Sequence, residues 1–189
     1  GLSDTFYSPP SELRSRIAAS EHGNAFEKLT CIADKYVDPT DSATISGKFR
    51  SNVIWGEVHD NNAYFMGGAS GHAGLFATAA DVLKIAMQFL PNYTTLLRPE
   101  TCELFDTNFT PGMNEHRSFS FQLASTPDST AGTGLSPQSF GHLGFTGTSL
   151  WIDPVKERVY ILLTNRTPDR ALLFEDINSD RRRFHEIAN

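Results

Sequence analysis

The sequence has only two cysteines and no long hydrophobic run, and each shortage excludes a class of protein. Cys31 and Cys102 are too few for a disulfide scaffold or a four-cysteine zinc site. We expect both thiols to be free and buried, with a disulfide between them as the less favoured alternative. No apolar run approaches the roughly 18 residues that a membrane-spanning helix needs, so we expect no membrane span.

Basic residues are also in the minority. Sixteen Lys and Arg against 22 Asp and Glu give a formal net charge of −6, so no overall positive field attracts nucleic acid or anionic lipid. We therefore expect no nucleic-acid partner. Apolar residues make up 39% of the 189 positions, which is typical of an ordinary globular domain with its own core. We expect residues 1–189 to belong to one domain.

The spacing of apolar residues predicts helices over much of the chain and strands near its end. Residues 1–20 are predicted to hold a turn and a short helix with Ser11 as its N-cap, and no strand. The other predicted helices lie near Ala25–Tyr36, between Thr78 and Pro91, over Pro99–Phe105 and within Ala171–Ala188. Alternating apolar residues predict strands over Ser118–Leu123, Phe145–Asp153 and Arg158–Asn165, with the last two joined as a hairpin.

One glycine-rich segment near the end of the chain carries a titratable side chain. Its sequence is Gly141-His142-Leu143-Gly144-Phe145-Thr146-Gly147. The histidine can exchange a proton with a ligand, and the glycines allow backbone amides to approach that ligand closely. The residues alone leave a second interpretation equally open, a glycine-rich turn beside a core histidine.

A second glycine-rich stretch precedes the helix predicted after Thr78 and contains His59, Asp60 and His72. Their spacing fits no familiar metal site, so we expect no metal and no other cofactor. We expect the aromatic residues of this stretch to be core rather than the lining of a pocket: Trp55, Tyr64 and Phe65. Further along, Arg181–Arg183 is predicted to be a solvated or salt-bridged helix face rather than an anion site.

These two glycine-rich stretches together resemble the C-terminal part of the serine β-lactamase and penicillin-binding-protein superfamily. The likeness is to the branch of class C-like lactamases, D-amino-acid peptidases and esterases. The segments that resemble this branch's loop and helix start are Gly56–Ala63, Gly67–Gly68 and Gly71–Asp81. Gly141–Gly147, followed by Trp151–Pro154 and Leu162–Asn165, resembles the family's Lys-Thr-Gly strand in a His-x-Gly form. The resemblance implies an α+β, β-lactamase/transpeptidase-like fold, an antiparallel sheet flanked by helices.

The resemblance also implies roles for particular residues. His142 stands where the family has the lysine of Lys-Thr-Gly, and the backbone amide of Phe145 corresponds to one half of the oxyanion hole. Substrate-binding positions implied in the same way are Gly144, Thr146, Gly147, His59 and Asp60. Leu143 replaces the usual threonine, which favours a substrate other than penicillin.

The family's nucleophile motif is missing from this sequence. None of the lysines has a serine three residues before it, so there is no Ser-x-x-Lys. Tyr36-Val37-Asp38 is the nearest approach to the family's Tyr-x-Asn element, and it lies in the wrong place. Because both elements precede the matching region in the family, and because the sequence opens with glycine, we expect residues 1–189 to be a C-terminal fragment of the domain.

The expected function is that of part of a serine hydrolase that cleaves a small-molecule or peptide-like amide or ester through an acyl-enzyme. We expect this part to be inactive without the nucleophile, and relatives of this kind are often periplasmic or secreted. The alternative is a non-catalytic β-lactamase-like binding or scaffolding module. The apolar strand Arg158–Asn165 would leave an exposed sheet edge, so we expect a homodimer or pairing with the missing N-terminal part.

Overall fold

The structure is a computed structural model that describes residues 1–167 and 177–189. The chain divides into two compact units. Within the described residues, the first unit contains residues 3–78 and 165–167, and the second contains residues 79–164 and 177–189. The first part of the helix predicted within Ala171–Ala188 lies outside the described residues.

The first unit is built from short helices and two-stranded ribbons. Its strands are β1 (Thr5–Phe6), β2 (Glu21–His22), β3 (Val53–Ile54) and β4 (Phe76–Ala77). Its helices are a 3-10 helix (Ser11–Arg16), α1 (Ala25–Ala33), α2 (Ser42–Lys48) and α3 (Asn61–Phe65). Strand β1 pairs antiparallel with β4, and β2 pairs antiparallel with β3.

Two expectations for the first unit are wrong in detail. Residues 1–20 do contain a strand, because Thr5 and Phe6 pair with Ala77 and Phe76. That pairing joins distant parts of the chain, and local periodicity carries no information about it. The short helix that follows is capped by Pro10 rather than Ser11, and it has no side-chain cap.

The second unit is a four-stranded antiparallel sheet flanked by helices. Its strands are β5 (Gln122–Leu123), β6 (Phe140–Leu143), β7 (Ser149–Asp153) and β8 (Arg158–Leu162), in the spatial order β5-β6-β7-β8. Its helices are α4 (Ala79–Ala86), which a 3-10 turn (Met87–Phe89) extends, α5 (Pro99–Cys102) and α6 (Asn178–Ala188). The α+β prediction with an antiparallel sheet and flanking helices is confirmed.

The predicted terminal hairpin is present, but both of its strands are shorter than expected, since β7 begins at Ser149 and β8 ends at Leu162 rather than Asn165. Strands β7 and β8 pair from Ser149 opposite Leu162 to Asp153 opposite Arg158. Residues 145–148 do not belong to β7, because the chain turns there after β6. The histidine of the glycine-rich segment therefore lies on its own strand, β6, beside the hairpin.

Two other predicted elements are also shorter in the structure. The strand predicted over Ser118–Leu123 is reduced to β5, since Ser120 adopts a φ of 73° that interrupts an extended chain. The helix predicted over Pro99–Phe105 ends at Cys102. In these two segments Leu123, Cys102 and Phe105 are buried, while Phe119 and Leu104 are exposed.

The two faces of the sheet bury two separate clusters. Successive residues of a strand point to opposite faces, so Trp151 and Ile152 of β7 enter different clusters. One cluster joins α4 to the sheet through Ala86, Leu90, Phe105, Leu123, Phe140 and Ile152. The other consists of Ala131, Leu135, Trp151 and Tyr160, with Phe184 of α6 packed against it.

Helix α6 is attached to the sheet by a fully buried histidine. The Nδ1 atom of His185 donates to the Thr130 carbonyl at 2.8 Å, and Ser149 Oγ lies 3.2 Å from Nε2. Since a carbonyl oxygen only accepts, Nδ1 carries the proton and Nε2 of the neutral ring accepts from the serine. Burial lowers the pKa of His185; the bond to Thr130 opposes this, and the charge of Arg181 adds to it.

The free energy of unfolding is expected to fall as the pH drops below about 6.5, the ordinary pKa of histidine. Below that pH the unfolded chain binds a proton at His185 that the folded chain does not bind. The free energy of unfolding therefore changes by at most about 1.4 kcal/mol per pH unit for this one proton. Urea denaturation at pH 7.5 and 5.5 measures the difference. His185→Gln should show a smaller difference, and an unchanged difference in that variant would contradict the assignment to His185.

Both cysteines are free thiols in the structure. Cys102 is buried as expected, and burial raises the pKa of its thiol. Cys31 is only half-buried, so the expectation of burial is wrong for that residue.

Within the two described ranges, none of the helices combines the length and the apolar character needed to cross a bilayer.

Candidate active site

The glycine-rich segment of the second unit forms strand β6 and the turn that follows it. Gly141 of β6 lies opposite Trp151 of β7. A Cβ atom at Gly141 would overlap the Leu150 carbonyl and the Trp151 ring. Glycine at this position therefore lets β6 lie against the buried tryptophan.

His142 is the exposed side chain of β6. Its Nδ1 atom lies 2.9 Å from the carbonyl oxygen of Leu143. This contact places the proton of the neutral ring on Nδ1, because the carbonyl can only accept, and leaves Nε2 with a lone pair. His142 can therefore accept a proton at Nε2. The interpretation of this residue as a core histidine is wrong, since its ring is on the surface.

The turn between β6 and β7 is closed by its own backbone. The Gly144 amide donates to the Thr148 carbonyl at 2.8 Å, and the Gly147 amide donates to the Gly144 carbonyl at 3.0 Å. Phe145 and Thr146 lie at the tip, and Phe145 is 39% exposed. Gly147 has a φ of +105°, a conformation that other residues rarely adopt. The turn thus presents its backbone at the end of β6.

Arg181 of α6 is bound to this turn. The residue is only 5% exposed. Its guanidinium donates to three turn carbonyls, from Nη2 to Gly144 at 2.7 Å and Thr148 at 2.9 Å, and from Nε to Gly147 at 3.2 Å. The expectation that this arginine belongs to a solvated face is therefore wrong.

A sequence signal for the burial of Arg181 was available. It lies four residues after Ile177 and four before His185, and Phe184 lies seven after Ile177. Residues at these spacings share one helix face, so Arg181 falls on the apolar stripe of α6. In contrast, Arg183 lies off that stripe and is exposed.

In the first unit, His59 and Asp60 both take part in local contacts. The Nε2 atom of His59 lies 2.7 Å from Oε2 of Glu21, and both side chains are largely buried. The Asp60 carboxylate caps α3 by accepting from the Ala63 amide at 2.7 Å, and His72 Nε2 lies 3.1 Å from the same oxygen. Both predicted residues therefore have a role in shaping the loop before α3.

A buried arginine that the sequence analysis missed supports the same loop. Arg50 donates to the Val58 carbonyl at 2.7 Å, the His59 carbonyl at 2.6 Å and Oδ1 of Asn24 at 2.9 Å. Its guanidinium lies over the Tyr64 ring, 4.2 Å from the centroid. Nothing in the local sequence distinguishes Arg50 from a surface arginine, because its partners come from other segments.

The expectation that the aromatic residues near this loop form core is wrong. Trp55, Tyr64 and Phe65 are between 37% and 61% exposed. Trp55 lies under the Arg14 guanidinium at 4.7 Å from the ring centroid, and its indole N–H donates to the Ile17 carbonyl at 2.7 Å. Arginine stacking lets such rings stay at the surface, because it covers one face of the ring and leaves the other to solvent.

Among the residues that the structure describes, no three His, Cys, Asp or Glu side chains are grouped to hold a metal ion. The predicted site residues form two sets. His142, Gly144, Phe145, Thr146 and Gly147 are contiguous on β6 and its turn in the second unit, while His59 and Asp60 belong to the first unit.

This α+β architecture, with a His-x-Gly strand inside an antiparallel sheet, is that of the serine β-lactamase and penicillin-binding-protein superfamily. A family model described as Beta-lactamase matches residues 1–180. The chain therefore belongs to the beta-lactamase family, and the resemblance seen in the sequence is confirmed.

Curated relatives carry a peptidase name. A protein of Escherichia coli (strain K12) named "Putative D-alanyl-D-alanine carboxypeptidase" is 37% identical over 123 residues, which are 62% of this chain and 28% of that protein. A protein of the same name from Salmonella enteritidis PT4 is 39% identical over 131 residues, with the same shares. The chain thus spans about 28% of the length of these relatives.

Solved structures with the same fold come from two different kinds of protein. A β-lactamase from Mycobacterium bovis has a TM-score of 0.52 at 20% identity, over 61% of this chain and 44% of that one. A simvastatin synthase mutant from Aspergillus terreus has a TM-score of 0.59 at 15% identity, over 98% of this chain and 46% of that one. At these identities the likeness concerns the fold.

Proposed function

We propose that residues 1–189 are the C-terminal part of a serine hydrolase that cleaves an amide or ester through an acyl-enzyme. The observation that carries the proposal is the β6 strand and its turn. They combine His142, which can accept a proton, with a turn whose tip lies between Gly144 and Gly147. The nucleophile of such an enzyme would lie outside this sequence, which contains no Ser-x-x-Lys. The chain spans only about 28% of the length of its curated relatives, which supports that placement.

The residues of β6 and its turn fit the needs of acyl transfer. A serine hydroxyl attacks the substrate carbonyl and loses its proton to a base, and the carbonyl oxygen becomes an oxyanion. The Phe145 amide donates to that oxyanion, and Gly144 and Gly147 leave room for the substrate beside it. His142 Nε2 helps move the proton to the leaving group as the carbon–heteroatom bond breaks, and water then hydrolyses the acyl-enzyme.

The substrate class we propose is a peptide-like amide or an ester rather than a β-lactam. The names of the curated relatives favour a peptide-like substrate. Leu143, where the family has threonine, has no hydroxyl to bind the carboxylate of a β-lactam or of a peptide, so an ester, or an amide without that carboxylate, also fits the proposal. Thr146, at the tip of the turn, would contact the substrate. For His59 and Asp60, in the first unit, we propose only that they shape the loop before α3.

We also propose that β8 is the surface to which the rest of the protein attaches. Within residues 79–164 and 177–189, β8 is the last strand in the sheet order and pairs only with β7. A groove of about 490 Å³ runs along it, lined by apolar residues that include Leu83, Val159, Ile161 and Phe184. An unpaired apolar edge favours an added strand. An N-terminal segment of the same protein would supply it, and a second copy of this chain is the alternative.

Covalent labelling tests the proposed function. The natural full-length polypeptide is treated with a fluorophosphonate and, separately, with a fluorescent penicillin, and each adduct is mapped by mass spectrometry beside residues 1–189 alone. We expect a fluorophosphonate adduct on a serine N-terminal to Gly1, and no adduct on the 189-residue chain. A weak or absent penicillin adduct would support the non-lactam substrate.

Two results would contradict the proposal. A folded full-length protein that takes no adduct would reject the enzyme and favour a non-catalytic binding module. An adduct on a serine within residues 1–189 would show that the nucleophile has been placed wrongly.

A further inference from the structure

We infer that Arg181 is a positioning residue, whose guanidinium fixes the direction of the Phe145 backbone N–H at the proposed oxyanion hole. The inference rests on the proposed function and deepens it. It concerns residues of the second unit only, on β6, its turn and α6. Arg181 lies outside the glycine-rich motif, 37 residues after Gly144.

The direction of the Phe145 amide is set through a single peptide group. The carbonyl of Gly144 and the N–H of Phe145 belong to the same planar unit and point in opposite directions. Two donors hold that carbonyl, Nη2 of Arg181 at 2.7 Å and the Gly147 amide at 3.0 Å. Fixing the oxygen therefore fixes the N–H on the other side of the peptide.

The other hydrogen bonds of Arg181 hold its guanidinium in one orientation, and the guanidinium in turn holds the Gly144–Phe145 peptide. Nη2 also binds the Thr148 carbonyl at 2.9 Å, and Nε binds the Gly147 carbonyl at 3.2 Å. Because the guanidinium is a rigid planar fork, it holds the three carbonyls in one arrangement, which a flexible ammonium cannot do. Such a charged donor also polarises the Gly144 peptide, which makes the Phe145 N–H a stronger donor.

Arg181 is itself held in place from both sides. Its Nη1 atom donates to Oδ1 of Asn178 at 2.9 Å, one turn earlier in α6. One turn later, His185 is held by hydrogen bonds with Thr130 and Ser149 of the second unit. The helix therefore presents the guanidinium to the turn in a fixed register, so the amide is oriented before a substrate arrives.

Enzyme kinetics on the full-length protein test the inference. The variants are Arg181→Met and Arg181→Lys, and Arg183→Met is the matched control from the exposed face of the same helix. Hydrolysis of 4-nitrophenyl butyrate gives kcat and KM, and prolonged fluorophosphonate labelling counts the folded sites. We expect kcat per labelled site to fall about 10- to 100-fold in Arg181→Met, with KM within about threefold, because misaligned groups cost rate rather than binding. Arg181→Lys should recover part of the loss, and Arg183→Met should match the wild type.

The outcomes separate a positioning role from a structural one. If the variants only lose labelled sites while kcat per site stays within about twofold of the wild type, the inference is overturned. If Arg181→Met does not fold, Arg181→Lys decides by the same criterion. A wild-type protein that neither labels nor turns over rejects the proposed function and this inference with it, whereas an active wild type with unaffected Arg181 variants rejects this inference alone.

Discussion

Replacing His142 by alanine is expected to lower kcat/KM of the full-length protein about 100- to 10,000-fold, the usual contribution of a general acid or base. The reason is the fixed tautomer of the ring. Its Nδ1 proton is donated to the Leu143 carbonyl at 2.9 Å, so Nε2 is the atom that exchanges protons with substrate. Hydrolysis of 4-nitrophenyl butyrate by the full-length protein measures the loss.

Two further variants show whether the effect arises from proton transfer. His142→Gln keeps a hydrogen-bonding side chain but cannot titrate, so its activity should remain close to that of His142→Ala. His116→Ala removes a half-buried histidine of the same unit, whose Nδ1 lies 3.1 Å from Ser125 Oγ, and should change kcat/KM little. If His142→Ala retained kcat/KM within about threefold while the serine adduct still formed, the proposed role would be wrong.

Replacing Arg50 by methionine is expected to lower the free energy of unfolding by about 1–3 kcal/mol, the usual cost of leaving buried hydrogen-bond acceptors without their donor. Its side chain is buried and donates to the carbonyls of Val58 and His59 and to Oδ1 of Asn24. Methionine fills a similar volume but leaves these buried acceptors without that donor, and each unsatisfied group is costly. Urea denaturation of the chain at pH 7.5 measures the change.

The matched control is Arg16→Met, which makes the same chemical change on the surface. Arg16 pairs with Asp4 at 2.9 Å, and both side chains are partly exposed to solvent. Exposed ion pairs contribute less than about 1 kcal/mol, so this variant should unfold almost like the wild type. Equal, small effects of the two substitutions would contradict a structural role for Arg50.

The elements that could be predicted are those with a strong local pattern. Helix α4 follows from a threonine start, an apolar stripe and the proline at position 91. The β7–β8 hairpin follows from two apolar runs around a turn beginning at Pro154. In contrast, β1 has only two residues, and its strand character comes entirely from pairing with β4.

Part of the candidate site could likewise be predicted from the sequence, and part could not. The residue types of Gly141–Gly147 indicated a possible site, but they left a glycine-rich turn beside a core histidine equally open, and the resemblance to the family favoured the site. Its extent was misjudged, since the strand predicted from Phe145 includes a turn. That turn is recognisable only once Gly144 and Thr148 are seen to close it.

The sequence by itself determined the family, the glycine-rich motif, the absence of Ser-x-x-Lys and the helix and hairpin with clear periodicity. Only the tertiary structure decided which arginine holds the motif and which one holds the loop before α3. Arg181 and Gly144 are separated by 37 residues, and Arg50 and Asn24 by 26. The apolar stripe of α6 can indicate that Arg181 is buried, but the sequence does not show which carbonyls accept from either arginine, because that depends on which distant backbone the fold brings to it.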